Sequence, residues 1–201
     1  SNFMKNQIVI ATSNAKKLIE IQSILDDMNI EILPQSHFKI EATEEPFHTF
    51  VENALIKARH ASRLSKLPAI ADDSGICVDA LDGKPGVLSA RFAGEPSSDQ
   101  KNNEKLLKSL ENESNRKAHY TCVIVFVKHE FDPEPIVVEG IWHGEILKAP
   151  RGSGGFGYDP LFLDHMTEKA VAELPPDIKN RISHRGQALH KLKLRLNQIY
   201  G

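Results

Sequence analysis

Apolar residues near the amino-terminal end of the chain predict a strand, a helix and a second strand in succession. Residues 7–11 form a short β-branched run that is typical of a buried strand. Residues 12–14 (Thr-Ser-Asn) can each cap a helix, and apolar positions then recur at helical spacing to about residue 28. Residues 30–33 resume the strand pattern and stop at Pro34, so the chain opens as β-α-β.

The next part of the chain predicts a helix and then a short strand with acidic residues at its end. Residues 49–64 place apolar side chains on one face, which is the pattern of an amphipathic helix. Residues 69–71 predict a brief buried strand, and residues 72–75 (Asp-Asp-Ser-Gly) have the composition of a sharp turn. Residues 76–78 continue in extended form.

The second half of the chain predicts a β-rich region between two helices. A charged helix opens at residue 98 and continues to residue 110. Residues 120–127 and 136–146 alternate as a β-pair, and residues 186–199 carry the single apolar stripe of a final helix. No internal repeat and no long linker is found. This order of elements predicts a mixed α/β fold with a β-rich middle.

Length and charge narrow the kind of partner that the chain can bind. With 201 residues it is long enough for one large α/β domain or for two lobes around a central cleft. Its net charge of −2 gives no basic face for duplex nucleic acid or for an anionic membrane. We therefore expect a small-molecule partner, with neither nucleic acid nor membrane involved.

Cysteine usage and the absence of a targeting pattern predict a cytoplasmic protein. Cys77 and Cys122 lie in apolar runs without the spacing of metal ligands, and no signal peptide or membrane-length apolar segment is found. Residues 1–3, ahead of Met4, are interpreted as the remnant of an expression tag. Residues 4–201 are then predicted to form one domain without a clean covalent boundary, either as a single α/β body or as two lobes.

A glycine-rich segment at residues 151–160 is a candidate binding loop. Four glycines within residues 152–157 allow the backbone to turn steeply or to approach a ligand closely, and Phe156, Tyr158 and Asp159 lie among them. A flat, polar ligand would suit this combination. A glycine-rich hairpin with two aromatic side chains beneath it is the alternative that the segment alone leaves open.

The predicted start of the first helix has the chemistry of an anion site. Residues 12–17 (Thr-Ser-Asn-Ala-Lys-Lys) lie where free amide hydrogens and the positive end of the helix dipole converge, and Lys17 can add a point charge. A plain helix cap followed by solvated lysines is the alternative. The chain contains no Gly-x-x-x-x-Gly-Lys-Ser/Thr sequence, which excludes an ordinary P-loop.

Acidic residues in two segments could together hold a divalent cation. Asp72 and Asp73 are neighbours in an extended segment, so one can face a ligand while the other braces the backbone. Glu41, Glu44 and Glu45 lie in an acidic loop, and one of them could complete a site for Mg²⁺, the usual cation of carboxylates near phosphates. An Asx turn and a solvated acidic loop are the alternatives.

Polar residues near the carboxyl-terminal end could recognise a heterocycle. Arg185 offers a planar fork suited to phosphate or to a carbonyl edge, and His184 can either donate or accept a hydrogen bond. Lys179 lies close by in the sequence. A helix that Ser183 caps, with two exposed basic residues, is the alternative.

Taken in order, these segments closely resemble the inosine triphosphate pyrophosphatase family, also called the dITP/XTP or non-canonical purine NTP pyrophosphatases. The resemblance covers nearly the whole chain after Met4. The chain departs from the family in that Ser13 stands where glycine is often found. The matching segments are residues 12–17, 49–54 (Thr-Phe-Val-Glu-Asn-Ala), 71–75 (Ala-Asp-Asp-Ser-Gly), 155–160 (Gly-Phe-Gly-Tyr-Asp-Pro) and 183–186 (Ser-His-Arg-Gly).

The resemblance implies an elongated two-lobed α/β fold with the active site in the cleft, and usually a homodimer. It also implies Mg²⁺-dependent hydrolysis of ITP, dITP and XTP to the monophosphate and pyrophosphate, with water attacking the α-phosphorus. By the same resemblance Asp73 is the general base and a metal ligand, Glu45 is its partner carboxylate, and Asp72 is a supporting residue. The implied substrate-binding residues are Thr12, Ser13, Asn14, Ala15, Lys16, Lys17, Ser74, Phe156, Gly157, Tyr158, Asp159, Lys179, His184 and Arg185.

Two other functions stay open at this point. A Maf-like pyrophosphatase would share the fold but act on other modified nucleotides. A non-catalytic nucleotide sensor would keep the glycine-rich loop and lack a competent metal site. The adjacent carboxylates Asp72 and Asp73 argue against the sensor.

Overall fold

The computed structural model describes residues 5–12 and 14–201. Over these residues the chain forms six strands and five α-helices, joined by loops and short 3₁₀ turns. The strands are β1 (Asn6–Ile10), β2 (Ile30–Pro34), β3 (Ala69–Val78), β4 (Lys117–Val127), β5 (Ile136–Ile146) and β6 (Phe162–Asp164). The helices are α1 (Ala15–Leu25), α2 (Phe50–Ser65), α3 (Asp99–Ser109), α4 (Pro176–Ile182) and α5 (His184–Tyr200).

The strands form one open sheet in the order β2-β1-β3-β4-β5-β6. β1 runs parallel to both β2 and β3, whereas β5 and β6 are antiparallel. Parallel neighbours need a crossover connection, and α1 provides it between β1 and β2. The predicted α/β class, with a mixed sheet and flanking helices, is confirmed.

β3 carries the acidic pair and differs from the sequence prediction. The predicted strand end and sharp turn after residue 71 are wrong, because Ala69–Val78 form one continuous strand of 10 residues. β3 lies between β1 and β4 in the sheet. β1 pairs with β3 at Ala69 and Ile70, and the strand continues through residues 72–75 despite their turn composition. Local preferences of this kind are weak, since strand propensities span only about 1 kcal/mol. Asp72 and Asp73 therefore lie within a strand.

Residue contacts divide the chain into two compact units. The first unit contains the described residues up to Asp73, together with Val123–Glu139 and Ala188–Gly201. Three alanines at helical spacing form the buried face of α2 and pack on the strands of this unit. Its core consists of Val9, Ala54, Ala58, Ala61, Ala69, Ala71, Val123, Val125 and Val127.

The second unit contains Ser74–Cys122 and Gly140–Gln187, and its core is aromatic. The Tyr120 and Phe162 rings lie 4.6 Å apart between centroids, and Trp142 packs 5.6 Å from Phe162. Such pairs add about 0.5 to 1.5 kcal/mol each beyond the burial of apolar area. The core of the second unit is therefore held together by contacts between aromatic rings.

The last two helices could be predicted only in part. α4 has seven residues and begins at Pro176 without an apolar stripe, so the sequence gives no clear signal for it. α5 starts two residues before the predicted start because Ser183 Oγ accepts a hydrogen bond from the Gly186 amide at 3.0 Å. No helix within the described part of the chain is both long and apolar enough to cross a bilayer.

Candidate active site

Asp72 and Asp73 anchor a group of charged residues in the first unit. Asp72 is 5% exposed, and its Oδ2 atom lies 3.1 Å from the Lys17 ammonium. Lys17 lies in the first turn of α1 and Asp72 lies in β3, so this ion pair connects the start of the helix to the sheet. The sequence predicted that one aspartate would face a ligand while the other braces the backbone; in the structure the Asp72 carboxylate pairs with the Lys17 side chain.

The carboxylate of Asp73 has a strongly perturbed pKa. Burial, opposed by Lys57 and reinforced by Glu45 and Asp72, raises the pKa of Asp73 from 3.8 to about 6. Its Oδ2 atom is buried and accepts no hydrogen bond from any described residue. A buried acceptor without a donor costs about 1 to 3 kcal/mol, so this oxygen is poised for an incoming cation or proton.

Lys57 on α2 connects the acidic loop to the aspartate pair. Its ammonium lies 3.1 Å from Glu45 Oε1 and donates to the Asp72 carbonyl oxygen at 2.5 Å. The Lys57 side chain is only 19% exposed. Lys57 is not among the candidate residues that the sequence analysis selected. Its position four residues after Asn53, on the same face of α2, was the sequence signal that could have identified it.

The acidic loop is pinned to α2 through Asn53. The side-chain oxygen Oδ1 of Asn53 accepts a hydrogen bond from the Phe47 backbone amide at 3.0 Å. The side-chain nitrogen Nδ2 donates to the Phe47 carbonyl oxygen at 3.1 Å. Glu45 is half-buried on this loop, whereas Glu41 and Glu44 are exposed. The predicted choice of Glu45 among the three glutamates therefore has a geometric basis.

The start of α1 is a capped helix with lysines beside it. Asn14 Oδ1 accepts from the backbone amides of Lys16 and Lys17 at 3.0 and 3.3 Å, and Thr12 Oγ1 accepts from the Asn14 amide at 3.1 Å. Ala15 and the Lys16 side chain are exposed, and Ser13 lies outside the described residues. Two of the predicted phosphate-binding amides are thus already bonded to the cap, which leaves side-chain donors such as Lys17 for an anion.

The carboxylates of the first unit fit a divalent cation. Asp73 and Glu45 are close enough for each charge to affect the other, and the Asp73 Oδ2 atom lacks a donor among the described residues. A bound cation would offset the repulsion between the two negative charges and would give the Asp73 Oδ2 atom a partner. The described part of the chain holds no cluster of three or more His, Cys, Asp or Glu side chains with metal-site geometry. Mg²⁺ commonly takes only one or two carboxylates and completes its shell with phosphate oxygens and water, so two ligands suffice.

A second group of candidate residues lies in the second unit and centres on Asp159. Asp159 Oδ1 accepts from the buried Tyr120 hydroxyl at 3.0 Å. Asp159 Oδ2 accepts from the Lys179 ammonium at 2.7 Å and from the Phe156 amide at 3.1 Å. Burial, with Asp159 nearby, holds the pKa of Tyr120 well above its usual value, so the hydroxyl stays a donor. Both oxygens of this buried carboxylate are therefore used for positioning.

Phe156 is presented to solvent by the glycine-rich loop. Its ring is 73% exposed, and the Lys179 ammonium lies 4.6 Å from the ring centroid. Gly155 has a φ of +72°, and a β-carbon there would overlap the Asp159 carboxylate. Glycine is thus required where the loop bends over Asp159, which explains part of the glycine content of this segment.

Tyr158 differs from its aromatic neighbour because it belongs to the core. It is 5% exposed, and its hydroxyl donates to the Ser89 carbonyl at 2.6 Å. Burial raises the pKa of Tyr158. Any contact of this residue with a ligand would come from its backbone. The segment therefore combines both sequence interpretations, with one aromatic tucked beneath the loop and one exposed on it.

The start of α5 holds His184 in an aromatic stack. The His184 ring lies 4.6 Å from that of Tyr120 with 10° between the planes, and 6.1 Å from that of Trp142. Arg185 is half-buried in the same turn. Ser183 ends α4 through its amide, which bonds to the Lys179 carbonyl, and its hydroxyl caps α5. The predicted cap at Ser183 is therefore present, but His184 and Arg185 are half-buried and not exposed as that interpretation expected.

The structure brings most of the predicted residues into two groups and leaves some apart. Lys17, Asp72, Asp73 and Glu45 share the first group, while Phe156, Asp159, Lys179 and His184 share the second. Ser74 follows Asp73 on β3 and is half-buried. Tyr120 was missed because it looks like any core residue of a strand. Only its hydroxyl partner reveals its role.

Comparison with known proteins relates these groups to a family. A sequence profile of the Ham1 family matches residues 8–195. A dITP/XTP pyrophosphatase of Nitrosomonas europaea is 54% identical over 193 residues, which cover 96% of this chain and 95% of that protein. One of Chromobacterium violaceum is 53% identical over 196 residues, or 98% of this chain and 100% of that protein.

Solved structures agree with the sequence relatives. A HAM1 protein from Coxiella burnetii matches with a TM-score of 0.94 and 47% identity, covering 96% of this chain and 99% of that one. The Ham1 protein of Staphylococcus aureus matches with a TM-score of 0.91 and 39% identity, covering 96% and 100%. From the profile match, the relatives and these structures together, the chain belongs to the Ham1 family.

Proposed function

We propose that the protein hydrolyses the purine nucleoside triphosphates ITP, dITP and XTP to the monophosphate and pyrophosphate. Relatives that are 53 and 54% identical are named dITP/XTP pyrophosphatases, hydrolases that act on acid anhydrides. The observation that carries the proposal is the half-buried Asp73 carboxylate, which lies near Lys57 and has a pKa of about 6. The biological role would be to remove deaminated nucleotides before polymerases use them.

Asp73 acts as the general base in this proposal. A pKa of about 6 leaves the carboxylate largely ionised at neutral pH and still basic enough to accept a proton. The attacking water gives its proton to Asp73 as its oxygen bonds to the α-phosphorus. The bond from the α-phosphorus to the bridging oxygen breaks, and pyrophosphate leaves with that oxygen.

The cations of the first unit stabilise the phosphate charge. Lys17 and Lys57 are held in place by Asp72 and Glu45, so they are organised before substrate arrives. Glu45 and Asp73 are the residues that would hold Mg²⁺, which when bound neutralises phosphate oxygens. Asn14 and Thr12 fix the start of α1 and thereby the position of Lys17.

The second unit supplies base recognition. Phe156 offers an exposed ring on which a purine can stack, and Lys179 and Asp159 lie beside it. Hypoxanthine and xanthine carry an acceptor at position 6 and a donor at N1, whereas adenine has an amino donor and no N1 hydrogen. Donors at His184 and Arg185 therefore favour the 6-oxo bases. Guanine adds a 2-amino group, which is penalised if it is buried without an acceptor.

We further infer a homodimer that works in the cytoplasm on a small-molecule substrate, without nucleic acid or membrane. The family resemblance supports the dimer, and the net charge of −2 supports a small partner. Cys77 and Cys122 lie in apolar runs without the spacing of metal ligands, which suits a reducing compartment. Light scattering of the pure protein measures the oligomeric state directly.

A substrate panel tests the proposed function. The protein is mixed with Mg²⁺ and ITP, XTP, GTP, ATP or dUTP, and pyrophosphate is separated from orthophosphate. We expect pyrophosphate from ITP and XTP, with much slower turnover of GTP, ATP and dUTP. Preference for dUTP would favour a Maf-like activity, and binding without turnover would favour a sensor. Release of orthophosphate with a nucleoside diphosphate would contradict the mechanism.

A further inference from the structure

Helix α3 grips the glycine-rich loop at a single residue. The backbone amide of Gly157 donates to Asp99 Oδ2 at 2.9 Å, and its carbonyl oxygen accepts from Asn103 Nδ2 at 2.9 Å. Asp99 and Asn103 are one helical turn apart, so both reach the loop from one face of α3. None of the sequence motifs includes either side chain.

We propose that Asp99 and Asn103 are positioning residues that hold the Phe156 ring in place for stacking on the purine. Phe156 precedes Gly157, and its own amide donates to Asp159 Oδ2 at 3.1 Å. Three hydrogen bonds therefore fix the backbone on either side of a ring that is itself 73% exposed. A glycine-rich loop has many conformations to lose, and these bonds remove that freedom before substrate binds. The inference rests on the proposed function of Phe156.

The environment of Asn103 argues against a purely structural role. Its Oδ1 atom is buried and accepts no hydrogen bond from any residue in the described part of the chain. A buried unpaired amide oxygen lowers stability, so the residue is not the best choice for folding alone. In exchange, the Asn103 side-chain nitrogen donates a hydrogen bond that holds the Gly157 carbonyl of the loop. A leucine at this position would remove the unpaired oxygen and that donor together.

Two matched substitutions on α3 test the proposal. Asn103→Leu should raise the KM for ITP about 3- to 10-fold and leave kcat within about twofold, because losing one neutral hydrogen bond loosens the loop without touching the chemistry. Glu104→Leu, at the exposed neighbouring position, should leave KM unchanged. Asp99→Ala should raise KM as well, whereas Asp99→Asn keeps an acceptor and should stay near wild type. The melting temperature of Asn103→Leu should equal or exceed that of wild type.

A double mutant asks whether the effect passes through Phe156. In a Phe156→Ala background, Asn103→Leu should change KM no further, since there is no ring left to position. The proposal is overturned if Asn103→Leu leaves KM unchanged in the wild-type background. It is equally overturned if the KM effect persists in full without Phe156, or if KM rises only together with a lower melting temperature.

Hydrogen exchange separates this inference from the proposed function. Deuterium uptake by the peptide that contains residues 150–160 should be faster in Asn103→Leu and Asp99→Ala than in wild type or Glu104→Leu. Unchanged uptake would overturn the inference whatever the substrate proves to be. If the wild-type protein turned over none of the panel nucleotides, the proposed function would fail while this measurement still reported on the loop.

Discussion

Asp73 shows at the scale of one residue how a functional carboxylate conflicts with stability. Burial and two nearby acids disfavour its charge, and its Oδ2 atom has no donor among the described residues. The fold tolerates this because Lys57 stands between Glu45 and the strand that carries Asp73. The same features that destabilise the carboxylate make it a good base and a good ligand.

Replacing Asp73 with asparagine should lower kcat for ITP by about two to four orders of magnitude, the usual range for loss of a general base. Binding of substrate should persist because the lysines and the second unit are unchanged. Steady-state kinetics with Asp79→Asn as control measure this, since Asp79 is an exposed aspartate just after β3. Near-native turnover would move the base to Asp72 or Glu45.

The same substitution should stabilise the metal-free protein above pH 6. Because the pKa of Asp73 rises from 3.8 to about 6 on folding, the native state binds more protons than the unfolded chain between these values. The contribution of Asp73 to the free energy of unfolding therefore falls as pH rises from about 4 to about 6 and stays low above that. An asparagine side chain carries no charge at any of these pH values, so the Asp73→Asn variant escapes this loss.

We expect Asp73→Asn to be more stable than wild type by about 1 to 2 kcal/mol at pH 8, after allowance for partial solvent exposure. The gain should shrink as pH falls towards 4. Urea unfolding in the presence of a chelator, at both pH values, measures the difference. Equal stability of the two proteins at pH 8 would show that Asp73 carries no burial penalty.

Arg185 should act on base preference. If Arg185 contacts the 6-oxo edge, Arg185→Ala removes a donor that ITP uses and ATP does not, so the ITP/ATP ratio of kcat/KM should fall by about one to two decades. Arg181→Ala, an exposed arginine on the neighbouring helix α4, is the control. Equal losses for ITP and ATP would make Arg185 a phosphate clamp instead.

At the scale of secondary-structure elements, hydrophobic periodicity predicted helices and strands well, whereas turn-forming composition led to a wrong prediction. The apolar stripes of α1, α2 and α5 and the apolar runs of β1 and β2 predicted those elements within a few residues. Residues 72–75 have turn composition, yet they stay extended within β3, which lies between β1 and β4 in the sheet. A single sequence does not reveal which segment lies in the middle of a sheet.

The site followed the same division between local and long-range signals. Asn14 and Asp159 could be chosen from motifs because their segments are unusual in composition, whereas Glu45 was separated from Glu41 and Glu44 only by the family resemblance. Lys57 and Tyr120 could not, because each looks ordinary and acquires its role from a partner far along the chain. The resemblance to the inosine triphosphate pyrophosphatase family supplied roles that spacing alone left open, and the match to dITP/XTP pyrophosphatases confirms that family.

The packing of α5 against α4 leaves no room for a side chain at Gly186. A β-carbon at this position would overlap the Asn180 carbonyl oxygen of α4. Gly186→Ala should therefore lower the free energy of unfolding by about 2 to 3 kcal/mol, as overpacking does. Helix propensity alone predicts the opposite sign, a gain of about 1 kcal/mol. Denaturant unfolding, with the exposed His190→Ala on α5 as control, distinguishes the two.

At the scale of the whole molecule, the two kinds of chemistry belong to different compact units. The first unit contains the acidic group with Lys17 and Lys57, and the second contains Phe156, Asp159 and Lys179. In the proposed function, phosphate chemistry and base recognition therefore draw on residues of different units.

The position of bond cleavage tests the central claim most directly. ITP is hydrolysed in water enriched in ¹⁸O with Mg²⁺ present, and both products are analysed by mass spectrometry. Attack on the α-phosphorus predicts one ¹⁸O atom in the inosine monophosphate and none in the pyrophosphate. Label in the pyrophosphate, or orthophosphate as the first product, would contradict the assignment of Asp73 and its neighbours to the α-phosphorus.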